Sequence, residues 1–324
     1  MDHSEGGQIK FPSQIFPATA DHSQVDQALR HNLFVNQVIL AAINHNCPAD
    51  SKLRWEKQAG TGRILMQVAL LCGGLGTRLG EETVNRPKPM VEIGGKPILW
   101  HIMRFYRQFG HDSFVLCAGY KQEVIKDFFL NYDNYSNDLR IDFASSSVSL
   151  LGGERDRIDW KVVIQDTGEA TLTAARLKRA LRHIEGDIFM ATYGDGLCDV
   201  DLDQLRTHHE TSGKLATVTA VRPSSRFGEL GLDGDSVTSF EEKPQTGKGW
   251  INGGFFVLHR SIFERLPDDP NLTLEADVLQ PLAREGQLSV FRHDGFWQCM
   301  DTPREKHLLE NYWKAGRAPW KVWA

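Results

Sequence analysis

The sequence predicts an α/β protein in which a Rossmann-like, mostly parallel sheet is flanked by helices and joined to a smaller, strand-rich part. Three observations support this fold class. From Met66 onward, short apolar strands alternate with amphipathic helices, as in parallel sheets that are covered on both faces. A glycine-rich turn directly follows the first strand, and ligands of such folds bind at the carboxyl ends of strands. Strands then become more frequent in the second half of the chain, which predicts the smaller part.

The first half of the alternating pattern begins with a buried strand at residues 68–71. A helix is predicted at residues 97–109, because apolar residues recur at helical spacing between Pro97 and Gly110. The other elements of this half are strands at 114–117, 140–143, 161–164 and 188–192, with helices at 122–131 and 173–183.

The second half of the chain contains strands at 216–221, 237–240, 253–258 and 288–292, with helices at 202–211, 275–285 and 303–315. Asp199, Asp201 and Asp203 are spaced like the start of a calcium loop. However, Gln204 stands where that loop needs a glycine, so we interpret these aspartates as caps of the following helix.

Composition excludes several functional classes. The chain has 324 residues, 41% of them hydrophobic, and a net charge of −5, which argues against a nucleic acid as partner. No apolar run approaches the roughly 20 residues of a membrane helix, and the start lacks the features of a signal peptide, so we expect a cytoplasmic protein with no membrane partner. The five cysteines form no Cys-x-x-Cys pair, which predicts neither a disulfide framework nor a structural zinc site.

The chain divides at about residue 65 into an N-terminal extension of unknown role (1–65) and a main domain (66–324). Within the extension, apolar residues recur at the spacing of an amphipathic helix: Val35, Val38, Ile39, Ala42 and Ile43. Alternatively, a chain of this kind begins naturally at Met66, and the upstream part is an appendage or a misplaced start. Both interpretations remain open.

The most informative stretch of the sequence follows the first strand. Gly73, Gly74 and Gly76 allow a ligand to approach the backbone, and successive N–H groups of such a turn form a nest for an anion. Two cations come after them, Arg78 and Lys88. The spacing fits neither the Walker loop nor the dinucleotide fingerprint. We therefore interpret the stretch as a phosphate-binding loop of another kind.

Two aspartates are candidates for a metal site. Asp195 lies on a tight turn after an apolar strand, and Asp301 ends another apolar segment directly before a helix. Because the turn of Asp195 and the glycine-rich turn both follow strands of the sheet, the two are predicted to share one crevice at the carboxyl ends of the strands. Each aspartate has a simpler explanation, a turn residue for Asp195 and a helix N-cap for Asp301. Together they match the one or two carboxylates that Mg²⁺ requires beside water and substrate phosphates. Glu242, Lys243, Asn252 and Gly253 are weaker candidates for binding a sugar phosphate.

The order and spacing of these motifs resemble the sugar-1-phosphate nucleotidyltransferases, and within them the glucose-1-phosphate cytidylyltransferases, from Met66 to Ala324. Stretches that carry the resemblance include 71–78, 86–101, 166–168, 193–196, 226–228, 241–244, 252–254, 300–302 and 316–321. The resemblance implies the Rossmann-like nucleotidyltransferase fold and the reaction of CTP with glucose 1-phosphate, giving CDP-glucose and pyrophosphate. It also implies a role in sugar-nucleotide synthesis and assembly into a homo-oligomer.

By the same resemblance, Arg78, Lys88 and Asp195 are the catalytic residues, and Asp195 and Asp301 hold Mg²⁺. Glu242, Lys243, Asn252 and Gly253 face the sugar phosphate. The nucleotide is expected to contact Leu71, Cys72, Gly73, Gly74, Leu75, Gly76, Thr77, Arg78, Lys88, Thr171, Arg176 and Gly194.

Some alternatives remain open at this stage. Ala174 and Ala175 stand where family members commonly have two glycines, and their methyl groups are expected to narrow the approach of the base or the sugar. The segment 274–277 also departs from the family's tryptophan-bearing one. The alternatives are therefore a transferase for UTP, dTTP, GTP or another sugar 1-phosphate, and a non-catalytic regulator that binds nucleotide sugars.

Overall fold

The computed structural model describes residues 65–151, 158–223, 229–233, 236–241 and 249–323. The strands in chain order are β1 (Val68–Leu71), β2 (Glu92–Ile93), β3 (Lys96–Pro97), β4 (Ser113–Ala118), β5 (Asp138–Asp142), β6 (Ser147–Leu151), β7 (Lys161–Asp166), β8 (Ile188–Tyr193), β9 (Gly196–Cys198), β10 (Ala216–Val221), β11 (Glu229–Asp233), β12 (Ser236–Glu241), β13 (Ile251–His259), β14 (Leu288–His293) and β15 (Trp297–Cys299).

The α-helices are α1 (Ile98–Gln108), α2 (Gln122–Leu130), α3 (Tyr132–Ser136), α4 (Thr173–Ala180), α5 (Leu202–Ser212), α6 (Ser261–Glu264), α7 (Gln280–Arg284) and α8 (Pro303–Lys314). Short 3₁₀ segments cover Thr77–Thr83, Lys88–Met90 and Leu181–His183, and a π-helical turn, Glu275–Leu279, leads directly into α7. Within the described ranges, no helix combines the length and the apolar character that crossing a membrane requires.

The centre of the fold is a seven-stranded sheet in the order β14-β10-β13-β8-β1-β4-β7. Its strands are parallel except β13, which runs antiparallel to both of its neighbours, β8 and β10. The strand β1 lies between β4 and β8, so the turns after all three strands open on one edge of the sheet. The predicted mostly parallel, Rossmann-like sheet is thereby confirmed.

The two faces of the sheet are buried in two separate cores. Side chains of β1 alternate between them: Val68 and Leu70 belong to the first core, Ala69 and Leu71 to the second. Helices α1, α5 and α8 cover the first face, whereas α4, α6 and α7 cover the second. Because both faces are covered, the strands read as continuous apolar runs in the sequence.

Most predicted elements occur within a few residues of their expected bounds, but three differ. The strand predicted at 140–143 is part of a hairpin, β5–β6, whose second strand the serine-rich sequence concealed. The helix predicted at 173–183 ends as an α-helix at Ala180 and continues as a 3₁₀ turn. The helix predicted at 275–285 begins with the π-helical turn. The predictions for residues 1–64 lie outside the described residues.

Helix capping explains one of the two aspartate patterns. Asp201 caps α5 through a 2.9 Å hydrogen bond from the Gln204 backbone N–H, as the sequence indicated. Asp199 does not cap α5, because its carboxylate accepts instead from the Phe296 backbone N–H and contacts His293, both at 2.8 Å. At α8, the cap is Thr302, which forms a capping box with Glu305. Asp301 is therefore not the N-cap of α8, and its carboxylate is available for other contacts.

His101 lies at the centre of a tryptophan cluster that joins α1 to the C-terminal segment. It is fully buried, with Trp100, Trp313, Trp320 and Trp323 around its ring. Its Nε2–H donates to the Ile93 carbonyl oxygen at 2.8 Å, and its Nδ1 accepts from Trp320 Nε1–H at 3.4 Å. Burial lowers the pKa of His101 from 6.5 to about 4.

This environment predicts that acidification destabilises the fold. In the unfolded state His101 takes up a proton as the pH falls below 6.5, whereas in the folded state it does so only near pH 4. The free energy of unfolding therefore falls as the pH drops from 6.5 towards 4. When the pH is lowered from about 7 to about 4.5, the free energy of unfolding in urea should fall by about 2 kcal/mol less for His101→Gln than for the wild type. His307→Gln, on the surface of α8, is the matched control. An equal loss in wild type and His101→Gln would contradict the assignment.

Candidate active site

The glycine-rich loop begins where β1 ends, at the carboxyl edge of the sheet. Gly76 adopts a left-handed conformation (φ 63°), and a Cβ there would lie 2.9 Å from the Cβ of Lys88. The Thr83 hydroxyl lies 3.1 Å from the carbonyl oxygens of both Gly76 and Gly80, and its single proton is shared between these two acceptors. The loop therefore holds its shape through its own hydrogen bonds.

Arg176, on α4, supports the glycine loop from below. The side chain is 4% exposed. Its guanidinium donates to the backbone oxygens of Gly73, Ala118 and Glu169 at 3.0–3.1 Å and to the Thr167 hydroxyl at 2.6 Å. These four bonds join the loops that follow β1, β4 and β7. Arg176 lines the cleft as predicted, yet its donors are directed at the protein.

A cluster of opposite charges faces the glycine loop. Lys88 Nζ lies 2.5 Å from Asp195 Oδ2 and 2.5 Å from Asp301 Oδ1. Arg78 Nη1 approaches the other oxygen, Asp301 Oδ2, at 2.8 Å. Lys88 is buried, whereas the Arg78 side chain is 72% exposed at the cleft mouth. Two carboxylates distant in sequence thus share one buried ammonium group.

The strand ribbon β9–β15 brings these carboxylates together. Asp195 comes directly before β9 and Asp301 shortly after β15, and the two strands pair antiparallel with Cys299 opposite Gly196. The Met300 N–H also donates to the Asp195 carbonyl oxygen at 2.9 Å. The sequence-based expectation that Asp195 and the glycine loop share one crevice is confirmed, and Asp301 joins them there.

The charge cluster shifts the titration of its members. Burial lowers the pKa of Lys88, but the Asp195 and Asp301 carboxylates outweigh it and raise that pKa above its ordinary value. Burial raises the pKa of Asp301, but the Lys88 hydrogen bond and the charges of Lys88 and Arg78 hold it below its usual range. Lys88 and Asp301 are therefore both charged at neutral pH.

The cleft between the glycine loop and the charge cluster has a volume of about 540 Å³. That size is within the range of small-molecule sites. The residues that line it are Leu71, Cys72, Gly73, Gly74, Leu75, Gly76, Thr77, Arg78, Lys88, Pro89, Glu169, Ala170, Thr171, Leu172, Thr173, Arg176, Tyr193, Gly194, Asp195 and Asp301. All residues predicted for nucleotide contact thus border one cavity.

Ala174 and Ala175 do not narrow this cleft. Both side chains are buried in the second core, against the residues that cover that face of the sheet. They are absent from the described lining, although Thr173 and Arg176 on either side belong to it. The expectation that two added methyl groups would restrict the base or the sugar was therefore wrong, because α4 turns these positions inward.

The predicted sugar-phosphate residues are only partly described. Glu242 and Lys243 lie outside the described residues. Asn252, on β13, is exposed and its side-chain amide lies 3.5 Å from the Tyr193 hydroxyl, at the edge of the cleft. Gly253 accepts a 2.8 Å hydrogen bond from Trp297 Nε1 and has no room for a Cβ.

Sequence reasoning did not identify several residues at the site. Tyr193 lines the cleft and donates its hydroxyl to the Glu275 carboxylate. A second cavity of about 430 Å³ adjoins the first one, and Asp301 and Cys299 line it with Arg304. Asp301 borders both cavities. Tyr193 lies two residues before Asp195, and Cys299 lies two residues before Asp301. This closeness in sequence was the one available sign that both residues belong to the site.

The carboxylate pair also passes a chemical test as a magnesium site. Oxygen atoms of Asp195 and Asp301 lie within 4.8 Å of each other and face the cleft, which offers room for water and phosphate ligands. Carboxylate oxygens are the protein ligands that Mg²⁺ prefers. The residues present therefore fit such an ion.

The fold and the cleft define a Rossmann-like α/β protein in which a glycine-rich loop and a charge cluster border one cleft at the carboxyl edge of the sheet. The sequence pattern of one such family, described as nucleotidyl transferase, matches residues 67–314. The chain belongs to the nucleotidyl transferase family.

Curated relatives cover most of the same region. The chain is 46% identical over 260 residues to the glucose-1-phosphate cytidylyltransferase of Salmonella typhi. The matched region covers 80% of this chain and 100% of that protein. The chain is 43% identical over 258 residues to the probable glucose-1-phosphate cytidylyltransferase of Bacillus subtilis, with the same coverage. Among solved structures, HddC from Yersinia pseudotuberculosis is similar with a TM-score of 0.57 and 26% identity, covering 77% of this chain and 100% of that one.

The contact between Arg176 and the glycine loop generates a stability prediction. A Cβ on Gly73 would lie 2.0 Å from Arg176 Nη1, and the four hydrogen bonds of Arg176 oppose its movement. Gly73→Ala should therefore lower the free energy of unfolding in urea by about 1–3 kcal/mol. Gly74→Ala is the matched control, since its Cβ meets no atom within 4 Å; its change should stay within about 0.5 kcal/mol. Equal stability of both variants would refute the packing argument.

Proposed function

We propose that this protein transfers a cytidylyl group from CTP to α-D-glucose 1-phosphate and releases pyrophosphate. The observation that carries the proposal is the charge cluster of Lys88, Asp195 and Asp301 facing the glycine loop across one cleft. The cytidylyltransferase names of the relatives at 43–46% identity support the choice of nucleotide and sugar.

The nucleotide is proposed to lie in the 540 Å³ cleft with its triphosphate over the glycine loop. The loop offers backbone N–H groups, and the Arg78 side chain at the mouth can turn from Asp301 towards the phosphates because it is 72% exposed. Lys88 is proposed to follow the same exchange, from carboxylates to phosphate oxygens. Thr171 and Gly194 line the opposite side, which we assign to the nucleoside.

Asp195 and Asp301 are proposed to hold Mg²⁺. When bound, the ion supplies positive charge that neutralises the phosphate oxygens during transfer. The residues of the chain position it, since the ribbon β9–β15 fixes both carboxylates. Glu305 in turn accepts the Asp301 backbone N–H at 2.7 Å and so fixes the strand end.

The reaction needs positioning more than covalent chemistry. A phosphate oxygen of glucose 1-phosphate attacks the α-phosphorus of CTP, and the bond from that phosphorus to the oxygen bridging to the β-phosphate breaks. The second cavity, on the far side of Asp301, is our proposed approach for the sugar phosphate. Asn252 and Gly253 lie nearby on β13, and Glu242 and Lys243 complete the set of residues that we propose for the sugar phosphate.

We also propose a cytoplasmic location and a homo-oligomer, consistent with the family resemblance.

The metal role predicts a large loss of activity in two variants. Asp195→Asn and Asp301→Asn each replace a carboxylate by a neutral amide, so turnover of CTP and glucose 1-phosphate with Mg²⁺ should fall about a hundredfold or more. Asp133→Asn, on the exposed surface of α3, should retain wild-type turnover. Circular dichroism checks that all three variants fold. Wild-type turnover in either site variant would disprove its metal role.

A nucleotide panel tests the proposed substrate. Pyrophosphate release should be fastest with CTP among CTP, UTP, dTTP and GTP, each supplied with glucose 1-phosphate and Mg²⁺. A faster rate with another triphosphate, or with another sugar 1-phosphate, would reassign the specificity within the same reaction. If no pair releases pyrophosphate but CDP-glucose binds, the protein is a nucleotide-sugar-binding regulator and the proposed function fails.

A further inference from the structure

The thiol of Cys299 shares the carboxylate pair of the charge cluster. Ligand atoms of Asp195, Cys299 and Asp301 all lie within 4.8 Å of one another. Because Cys299 stands opposite Gly196 in the ribbon β9–β15, the backbone pairing itself places its sulfur beside Asp195. One sulfur and two carboxylates thus lie close enough together to hold one ion.

These three donors are accessible from outside. Cys299 is half-buried and lines the second cavity together with Asp301, whereas Asp195 and Asp301 line the nucleotide cleft. A small cation can therefore reach the three donors without unfolding the ribbon, but it competes there with Lys88 Nζ, which lies 2.5 Å from each carboxylate. The buried cysteines 72, 117 and 198 are 0–1% exposed. Cys299 differs from them in having a path to solvent.

The donor set differs from what Mg²⁺ prefers. Magnesium binds oxygen ligands, whereas a thiolate favours zinc, cadmium and cobalt, which accept mixed sulfur and oxygen ligands in tetrahedral sites. Three protein donors with a fourth position left for water is a common arrangement for zinc. The two carboxylates alone suit the proposed Mg²⁺, whereas the thiol makes the three-donor set more favourable for zinc-like ions than for Mg²⁺.

Charge balance leads to the same distinction. In the free protein, the two carboxylates are balanced by Lys88 and Arg78. A divalent ion bound by the carboxylates alone leaves the site with an excess of two positive charges. Coordination by Cys299 releases the thiol proton to solvent and leaves a thiolate, which reduces this excess by one charge. Exposed Arg78 can turn away and remove the rest.

We propose that Asp195, Cys299 and Asp301 form a site for a thiophilic divalent cation such as Zn²⁺, which binds the protein without nucleotide. Such an ion occupies the carboxylates assigned to Mg²⁺ and therefore inhibits transfer. The inhibition rests on the proposed function, whereas the binding does not.

Cobalt titration of the full, nucleotide-free chain tests the site directly, because Co²⁺ bonded to a thiolate gives a charge-transfer absorption in the near ultraviolet. Wild type should show this band, excess Mg²⁺ should leave it, and Zn²⁺ should displace it. Cys299→Ser should abolish the band. Cys198→Ser is the matched control, since Cys198 belongs to the other cluster of donor atoms, with Asp199 and His293; it should retain the band. A band absent from wild type, or lost only in Cys198→Ser, overturns the proposal.

A second variant keeps the thiol and removes one carboxylate. Asp301→Asn should weaken Zn²⁺ binding more than about tenfold, since even outer-shell partners of metal ligands are worth that much. Circular dichroism of each variant checks folding. Unchanged Zn²⁺ affinity in both Asp301→Asn and Cys299→Ser overturns the proposed donor set.

Turnover measurements separate this proposal from the proposed function. Turnover of CTP and glucose 1-phosphate with Mg²⁺ is measured with and without Zn²⁺, and the rate with Zn²⁺ is divided by the rate without it. This ratio should be at least about tenfold lower for wild type than for Cys299→Ser, because Zn²⁺ inhibits the wild type more strongly. Equal ratios overturn the inhibitory role. If wild type shows no turnover even without Zn²⁺, the proposed function fails, and the cobalt band still decides whether the metal site exists.

Discussion

The site depends on one interaction, the contact of the buried Lys88 ammonium with the carboxylates of Asp195 and Asp301, each at 2.5 Å. Two carboxylates this close repel each other unless a cation lies between them. Lys88 supplies that cation and so joins a 3₁₀ turn to both strands of the ribbon β9–β15. A buried charge pair adds little stability by itself, but leaving one member unpaired is costly. The geometry of the cleft therefore requires all three residues.

On the opposite side of the cleft, the buried cation is bonded to neutral oxygen atoms and not to carboxylates. There the buried cation, Arg176, donates to the protein's own backbone oxygens and one hydroxyl, with burial lowering its pKa. Its bonds hold the ends of β1, β4 and β7 at fixed distances and leave Gly73 no space for a side chain. A rigid loop and an exchangeable charge cluster together suit phosphoryl transfer, which depends on preorganised positive charge.

The sequence predicted the sheet well because strands buried on both faces give apolar runs that are hard to mistake. It also predicted that Asp195 meets the glycine loop, since strand ends share one edge. The role of Arg176 could not be predicted, because a long side chain can face the ligand or the protein. The inward direction of Ala174 and Ala175 depends on how α4 packs. The convergence of Cys299 with the aspartates depends on the register of the ribbon β9–β15, which no local pattern determines.

A double-mutant cycle on stability tests the central interaction most directly. The free energy of unfolding in urea is measured for wild type, Lys88→Met, Asp301→Asn and the double variant, without metal or nucleotide. If Lys88 holds the carboxylates as described, the double variant should be less destabilised than the sum of the single ones, with a coupling energy of about 1–3 kcal/mol. Additive effects, with a coupling energy near zero, would show that the contact does not hold the site together and would contradict this account.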